Sequence, residues 1–304
     1  MTPAEVSCNL CGAVIDANLP ARWRKDGFDV VRCPRCGLLF RRDLPGSEEV
    51  AEIYKEDYFK RPAGDAGSQG YLDYLRDEEA HRLSARKRLA WLERRGVRPP
   101  GRLLDVGAAA GFFMDEARRS GWEVEGIDVA PSMSGWARER LDLQVQTGEF
   151  QGATFSDGSY DCVAMWDYIE HSADPLGDLR RAFELLRGNG HLVLSTGDAA
   201  SAVARISGRR WHLLTPRHHN FFFTATTLRN GLERAGFDLI ESKHLSSPYS
   251  LRYCVYKLGT MMPRSRALRY ASRRANTSRL GRVALPVNLG DVVTVLARKP
   301  PGTE

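Results

Sequence analysis

Four cysteines near the start of the chain have the spacing of a metal site. Cys8 and Cys11 stand three positions apart, as do Cys33 and Cys36, and a glycine follows each pair. Two thiolates on one tight turn can face the same ion, and two such turns form the tetrahedral four-sulfur shell that zinc favours. Because four cysteines leave no coordination position for a substrate, we predict a structural zinc; unrelated or redox-active pairs are the alternative.

A loop of small residues is the second chemical motif. In LLDVGAAAGFF an apolar strand that contains Asp105 is followed by Gly107, three alanines and Gly111. Such a loop lets a ligand approach the backbone amides at the start of a helix. Twenty-one residues after Gly107 the next strand ends at Asp128, whose carboxylate is placed to accept two hydrogen bonds from ribose hydroxyls. Together these features predict a nucleoside-containing cofactor.

The spacing of the glycines distinguishes two classes of cofactor. A dinucleotide site uses the pattern GxGxxG, whereas this loop has glycine only at its two ends and an acid before it. The pattern therefore disfavours a pyrophosphate-containing dinucleotide.

Short apolar runs alternate with amphipathic stretches from residue 102 onward. The predicted strands are 102–106, 124–128, 143–146, 160–165, 191–196, 237–242 and 292–297. The predicted helices are 71–95, 111–120, 131–141, 174–187 and 225–235. Strands that alternate with helices of this length predict an α/β fold with a doubly wound, seven-stranded and mostly parallel sheet, in which ligands bind at the carboxyl ends of the strands.

The motifs on this sheet resemble those of the class I S-adenosylmethionine-dependent methyltransferases. The first motif of that family has the form acid-x-Gly-x-Gly-x-Gly; Asp105, Gly107 and Gly111 match it, and Ala109 replaces the middle glycine. The resemblance implies the Rossmann-like methyltransferase fold and S-adenosylmethionine as the methyl donor. Asp128 corresponds to the ribose-binding acid of the family.

Two further segments extend the resemblance. Glu149 and Phe150, after the third strand, resemble the segment beside the adenine ring. The string YDCVAMWDYIEH resembles the fourth motif, which implies that Met165 and Trp166 border the methionine part of the donor. The segment TPRHHNFFFTATTL resembles the closing section of the same subgroup.

Histidines are the candidate catalytic residues. A hydroxyl or carbon acceptor needs a base, and histidine has a suitable pKa for that task. His171 follows the fourth strand, and His218 and His219 follow the fifth, where an acceptor would approach. A structural role in the loops is the alternative for each of them.

The predicted domain organisation has three parts. Residues 1–45 form a zinc ribbon, 46–100 a connecting helical region, and 101–304 the methyltransferase domain, with a basic insertion at 243–290. The ribbon is too short to bury a stable core alone, so it should depend on its metal.

The positive charge of the chain is concentrated in one segment. The net charge is +6, yet residues 251–290 hold nine Lys or Arg and no acid, and the rest of the chain carries 35 basic and 38 acidic groups. Three interpretations stay open for this segment: a solvated surface, a site for a phosphorylated or nucleotide-linked acceptor or an anionic membrane surface, and an RNA-binding patch.

The composition excludes several classes of protein. With 42% hydrophobic and 27% charged residues, the 304-residue chain is neither collagenous, disordered nor a disulfide scaffold. Neither a membrane span nor a secretory signal is visible, so we expect a cytoplasmic protein.

The resemblance to the class I methyltransferases implies an enzyme that transfers a methyl group from S-adenosylmethionine to a small molecule or glycan precursor. We expect it to act in secondary-metabolite or surface-polysaccharide synthesis, where the acceptor can be nucleotide-linked. A ribosomal RNA methyltransferase with a zinc ribbon and a non-catalytic binding protein on the same fold are the alternatives.

Overall fold

The computed structural model describes residues 6–16, 18–46, 59, 73–261 and 265–302. Most of the predicted connecting region before residue 73 therefore lies outside the described residues.

The N-terminal segment forms small antiparallel sheets around the cysteine turns. The strands of this segment are β1 (Val6–Ser7), β2 (Val14–Ile15), β3 (Trp23–Lys25), β4 (Phe28–Arg32) and β5 (Leu39–Arg41). We call residues 6–46 the ribbon. Gly12 and Gly37, which follow the cysteine pairs, have positive φ angles of 68° and 80°, as the sharp turns after each pair require.

A seven-stranded sheet forms the centre of the molecule. Its strands are β6 (Arg102–Val106), β7 (Glu123–Asp128), β8 (Val145–Thr147), β9 (Tyr160–Trp166), β10 (Leu186–Gly197), β12 (Asp238–Lys243) and β15 (Val292–Arg298). Their order is β12-β15-β10-β9-β6-β7-β8, and β15 runs antiparallel to both of its neighbours. The other pairs in the sheet are parallel. The predicted seven-stranded, mostly parallel sheet is confirmed.

Helices cover both faces of this sheet. They are α1 (Glu78–Glu93), α2 (Phe112–Arg119), α3 (Pro131–Leu141), α4 (Pro175–Leu185) and α6 (Ala225–Arg234), whereas the short helix α5 (Ala202–Ser207) packs with the ribbon. Alternate residues of each strand enter opposite cores: Leu103 packs with α1 and α2, and Leu104 packs with α4 and α6. Continuous apolar runs in the strands follow from burial on both faces.

The ribbon shares its core with the central sheet. Leu10, Leu38 and Phe40 of the ribbon are fully buried in the same hydrophobic cluster as residues of α4 and α6. Strand β5 also pairs antiparallel with β11 (Phe221–Phe222), which follows the histidine pair at 218–219. The ribbon therefore supports the loop that carries these histidines.

The segment between β12 and β15 forms a separate layer at the strand ends. It contains β13 (Ser247–Ser250), α7 (Leu251–Met261), α8 (Arg266–Thr277) and β14 (Ala284–Val287). Strands β13 and β14 pair antiparallel. This segment lies within the basic insertion predicted at 243–290, and we call it the insertion; its strand β13 contacts α1.

Arg252 of this insertion has a structural role. Its guanidinium is 1% exposed and donates to the buried carboxylate of Asp77, with the Nε and Nη2 atoms 2.8 and 2.7 Å from Oδ1. In contrast, Arg266, Arg273 and Arg274 are exposed. Arg252 therefore forms an ion pair in the interior, whereas these three arginines lie at the surface.

Candidate functional site

A cleft of about 380 Å³ opens at the carboxyl edge of the central sheet. Its walls come from the loops after β6, β7, β8 and β9, from the segment 212–219, from α1, and from β13 and α7 of the insertion. This is the position expected for a ligand site in a doubly wound sheet.

The glycine loop after β6 forms the floor of one half of the cleft. Gly107 has a φ of +78°, and a Cβ atom placed there would lie 3.0 Å from the ring of Tyr168. Gly111 has a φ of +75°, and its Cβ atom would lie 2.6 Å from Leu143. The loop therefore needs glycine at both positions, for conformation and for space. Gly107 and Ala109 line the cleft, whereas Gly111 lies behind the loop at the start of α2.

Asp128 at the end of β7 faces the same loop. Its carboxylate accepts hydrogen bonds from the backbone N–H of Ala109 at 2.7 Å and of Ala130 at 2.8 Å. Burial raises the pKa of Asp128 to about 6, and these two hydrogen bonds oppose that rise. At neutral pH the group is a buried carboxylate with lone pairs left for a ligand.

Asp105 is the second acid of this half of the cleft. Burial raises the pKa of its carboxyl group to about 8, while the positive charge of Arg88 acts in the opposite direction. Asp105 lines the cleft beside Gly107.

The other residues expected at the cofactor divide into two groups. Glu149, Phe150 and Trp166 line the cleft. Met165 does not: it is 0% exposed and packs in the hydrophobic core with α4 and α6. Neighbours in a strand point to opposite faces, so only one of Met165 and Trp166 can face the cleft.

The other half of the cleft holds a compact group of ionisable side chains. Glu170, His171 and His219 each place a ligand atom within 4.8 Å of the others, and all three line the cleft. The imidazole rings of His171 and His219 meet edge to face, with their centroids 4.7 Å apart. Glu170 and His171 follow β9, whereas His219 precedes β11.

Hydrogen bonds fix the orientation of both rings. Nδ1 of His171 lies 2.8 Å from the carbonyl oxygen of His218, and Nδ1 of His219 lies 2.9 Å from that of Leu213. A carbonyl oxygen only accepts, so each Nδ1 carries the proton. Burial lowers the pKa of His171 to about 4 and that of His219 well below its ordinary value, so both rings are neutral at neutral pH.

Glu170 lies deep in this group and is 4% exposed. Burial raises its pKa to about 8, and repulsion from Asp167 acts in the same direction. A hydrogen bond with the Thr196 side chain favours the charged form and opposes this rise. His218, the third histidine expected to be catalytic, lines the cleft and provides the carbonyl that orients His171.

Aromatic and basic side chains outside the motifs also line the cleft. Tyr249 and Tyr253 of the insertion stack with ring centroids 5.3 Å apart, and Nζ of Lys257 lies 5.5 Å from the centre of the Tyr253 ring. On α1, the Arg88 guanidinium lies 4.2 Å from the centre of the Trp166 ring and forms an ion pair with Asp167. Helix α1 and the insertion lie outside the motifs, and the tertiary structure brings them to the cleft.

The four cysteines of the ribbon come together as their spacing predicts. The sulfur atoms of Cys8 and Cys36 are 3.6 Å apart, as are those of Cys11 and Cys33, and all four lie within 4.8 Å of one another. Neighbouring sulfurs of a tetrahedral zinc–thiolate site are about 3.8 Å apart, since each Zn–S bond is about 2.3 Å long. The group therefore has the size of a zinc site. Cys162 is fully buried in the sheet.

Known proteins resemble the chain in both sequence and structure. Residues 74–242 match the model of the methyltransferase domain family. The ubiquinone biosynthesis O-methyltransferase of Xanthomonas campestris pv. campestris is 32% identical over 165 residues, which cover 50% of this chain and 69% of that protein. The protein of the same name from Xanthomonas euvesicatoria has the same identity and coverage.

Solved structures show the same fold. The YcgJ protein of Bacillus subtilis has a TM-score of 0.52 at 17% identity and covers 72% of this chain and 99% of its own. Magnesium protoporphyrin IX methyltransferase from Synechocystis PCC 6803, with bound SAH, has a TM-score of 0.52 at 16% identity and covers 84% and 100%.

No helix within the described ranges is both long and apolar enough to cross a membrane.

The family match extends over more than half of the chain and contains the glycine loop, Asp128 and Glu170. The chain therefore belongs to the methyltransferase domain family and is an S-adenosylmethionine-dependent methyltransferase with the class I fold.

Proposed function

We propose that this enzyme transfers the methyl group of S-adenosylmethionine to a hydroxyl oxygen of a small molecule. One observation carries the proposal: a single cleft joins the glycine loop and Asp128 to the group formed by Glu170, His171 and His219. The named O-methyltransferase relatives support oxygen as the acceptor atom.

The first half of the cleft fits the methyl donor. Gly107 has no side chain, so the ligand can approach the backbone at a place where a Cβ atom would contact Tyr168. The buried carboxylate of Asp128 can accept hydrogen bonds from the two hydroxyls of a ribose. Glu149 and Phe150 border the adenine, and Trp166 borders the methionine part. The bound donor supplies an electrophilic methyl group, and the residues around it hold the donor in place and exclude water from the reacting atoms.

The second half of the cleft receives the acceptor. Tyr249, Tyr253 and Trp166 offer aromatic surface for a flat or ring-shaped molecule, and Lys257 suits an anionic substituent such as a phosphate. This combination supports a phenolic, sugar or nucleotide-linked acceptor, in line with secondary-metabolite or surface-polysaccharide synthesis.

The group of Glu170, His171 and His219 acts on the acceptor hydroxyl. An oxygen attacks the methyl carbon faster once its proton has left, so the site needs groups that favour the deprotonated acceptor. These three side chains lie in the acceptor half and are held by backbone hydrogen bonds.

The ribbon contributes a structural zinc to this proposal. Cys8, Cys11, Cys33 and Cys36 would occupy all four positions of the ion, which therefore has no part in the chemistry. Cysteines that bind zinc must stay reduced, which supports a location in a reducing compartment such as the cytoplasm.

Calorimetry and product analysis test the proposal. We expect S-adenosylmethionine and S-adenosylhomocysteine to bind one per chain, and a screen of phenols, nucleotide sugars and RNA to consume donor with a phenol or a sugar. Mass spectrometry should find the new methyl group on oxygen. Donor binding without transfer to any hydroxyl, or transfer only to RNA, would contradict the proposed acceptor class.

A further inference from the structure

A second cavity, of about 320 Å³, adjoins the cleft at the carboxyl edge of the sheet. It lies between α1, the ends of β10 and β12, the start of β15 and the first residues of the insertion, and we call it the side pocket. Four residues line both cavities: Ser84, Arg88, Ser247 and Val292. The side pocket is therefore the space that an extended acceptor would reach next from the cleft.

One wall of the side pocket is a row of polar side chains across three strands. Thr294 of β15 lies opposite Ser195 of β10 on one side and opposite Lys243 of β12 on the other. Residues that lie opposite one another in neighbouring strands point to the same face of the sheet. Ser195 and Thr294 are 1% and 3% exposed, whereas Lys243 is exposed. This wall is therefore polar at its base and positively charged at its edge.

The last turns of α1 form the opposite wall. Ser84, Lys87, Trp91 and Arg94 follow one another at intervals of three or four positions, so they share one side of the helix, and all of them line the side pocket. Lys87 and Arg94 are exposed, and neither forms an ion pair within the described ranges. This wall therefore adds two unpaired positive charges.

The side pocket has an excess of positive charge. Its described lining contains no acid and four basic side chains: Lys87, Arg88, Arg94 and Lys243. Arg88 forms an ion pair with Asp167. Lys243 lies 3.6 Å from Glu241, but the same carboxylate also pairs with Arg95. After these contacts the pocket still favours an anionic ligand.

Trp91 provides an independent indication of a ligand that accepts hydrogen bonds. It is 2% exposed, and its Nε1–H has no hydrogen-bond partner among the residues that the structure describes. An indole N–H only donates, and buried donors in proteins are normally paired. An oxygen atom of an anion at the base of the side pocket would be an acceptor for this group.

Phosphate matches this set of donors better than a carboxylate does. Its oxygens can accept at the same time from the flexible ammonium groups of Lys87 and Lys243 and from the guanidinium of Arg94. A carboxylate has two oxygens and would leave more of these donors without an acceptor.

We propose that the side pocket binds a phosphate or diphosphate group of the acceptor while the acceptor hydroxyl lies in the cleft. This inference rests on the proposed function, because it specifies the acceptor as a phosphorylated small molecule. The phosphate lies away from the reacting atoms, so its binding energy serves to position the hydroxyl in line with the methyl group of the donor. Arg88 stands where the two cavities meet, with its guanidinium over the ring of Trp166.

Pyrophosphate tests the side pocket on the full chain with S-adenosylhomocysteine bound. We expect calorimetry to show one pyrophosphate bound per chain. The variants Arg94→Gln and Lys243→Gln each remove one positive charge from the pocket and should weaken this binding at least fivefold.

Arg86→Gln is the matched control, because Arg86 is exposed on the same helix and lies outside both cavities. It should bind pyrophosphate within twofold of the wild type. Binding of S-adenosylhomocysteine by each variant verifies that it is folded. Equal affinity in the wild type and in both pocket variants would overturn the site. Equal weakening in all three variants would indicate general attraction to a basic surface and would overturn it as well.

Activity separates this inference from the proposed function. An acceptor that carries a phosphate should have a KM at least tenfold lower than the same acceptor without it, and the two pocket variants should narrow this difference. Methyl transfer to a hydroxyl that is indifferent to the phosphate would overturn the side pocket and leave O-methylation intact. Specific pyrophosphate binding without methyl transfer to any hydroxyl would support the pocket and contradict the proposed function. Binding of RNA that depends on Arg94 and Lys243, without binding of pyrophosphate, would overturn the small-molecule assignment.

Discussion

The backbone N–H of Ala109 donates a hydrogen bond of 2.7 Å to the carboxylate of Asp128. This bond joins the middle of the glycine loop to the acid at the end of the next strand. The two motifs, nineteen positions apart in the chain, therefore form one rigid surface for the ligand. Asp128 therefore has two roles: it faces the ligand, and it stabilises the conformation of the glycine loop.

Replacement of Asp128 by alanine should weaken binding of S-adenosylmethionine at least tenfold. Hydrogen bonds to a charged group contribute about 1.5–3 kcal/mol each, and about 1.4 kcal/mol corresponds to tenfold in affinity. Isothermal calorimetry measures the change. Asp157→Ala removes an acid that is largely exposed and pairs with Arg181, so it should leave the affinity unchanged. Equal affinity in both variants would contradict the assignment of Asp128.

The affinity for the donor should fall below pH about 6. The pKa of Asp128 lies near 6 because burial disfavours its charged form, so the carboxylate is ionised above that pH and protonated below it. Only the ionised form accepts hydrogen bonds from both ribose hydroxyls, so affinity should decrease by up to tenfold per pH unit below the pKa. Calorimetry from pH 5 to 8 measures this dependence. In the Asp128→Asn variant the donor affinity should no longer change with pH. A similar change of affinity with pH in that variant would show that another group causes it.

Loss of one ribbon cysteine should destabilise the whole chain. Leu10, Leu38 and Phe40 pack in the same core as the central sheet, so the ribbon and the sheet should unfold together. We expect Cys33→Ser to bind less than one zinc per chain and to melt in one transition, lower by roughly 10 °C. Mass spectrometry and calorimetry measure both quantities. Cys254→Ser, at a half-buried cysteine outside the ribbon, should have little effect on either.

Replacement of Arg252 by alanine should cost about 3 kcal/mol of unfolding free energy. The variant leaves the carboxylate of Asp77 buried without its partner, and breaking a buried ion pair from one side is strongly destabilising. Urea denaturation measures the change. Arg273→Ala, on the exposed surface of the same insertion, should change stability by less than about 0.5 kcal/mol. Equal stability of the two variants would show that the pair contributes little.

Individual strands and helices of the central sheet could be predicted from the sequence because each depends on residue patterns within a short segment. The strand predicted at 102–106 and the helix predicted at 131–141 have those bounds in the structure. An apolar run that ends in a glycine loop indicates a strand without any knowledge of its neighbours. The cysteine spacing is equally local, since each pair occupies one turn.

The role of Met165 depended on the tertiary structure. The motif placed both Met165 and Trp166 at the cofactor, yet successive side chains of a strand point to opposite faces, and packing decides which face meets the cleft. The sheet directs Met165 into the core and Trp166 toward Arg88 on α1.

The sequence by itself determined the methyltransferase fold, the glycine loop with Asp128 and the pairing of four cysteines, because each depends on residue types at short spacing. Only the tertiary structure brought Glu170 and His219 together across 49 positions, placed Tyr253 and Trp166 in one cleft and packed the ribbon into the core. Such contacts depend on how β9, β11 and the insertion pack together. Side-chain burial and backbone pairing between distant segments set them, and no local pattern encodes that geometry.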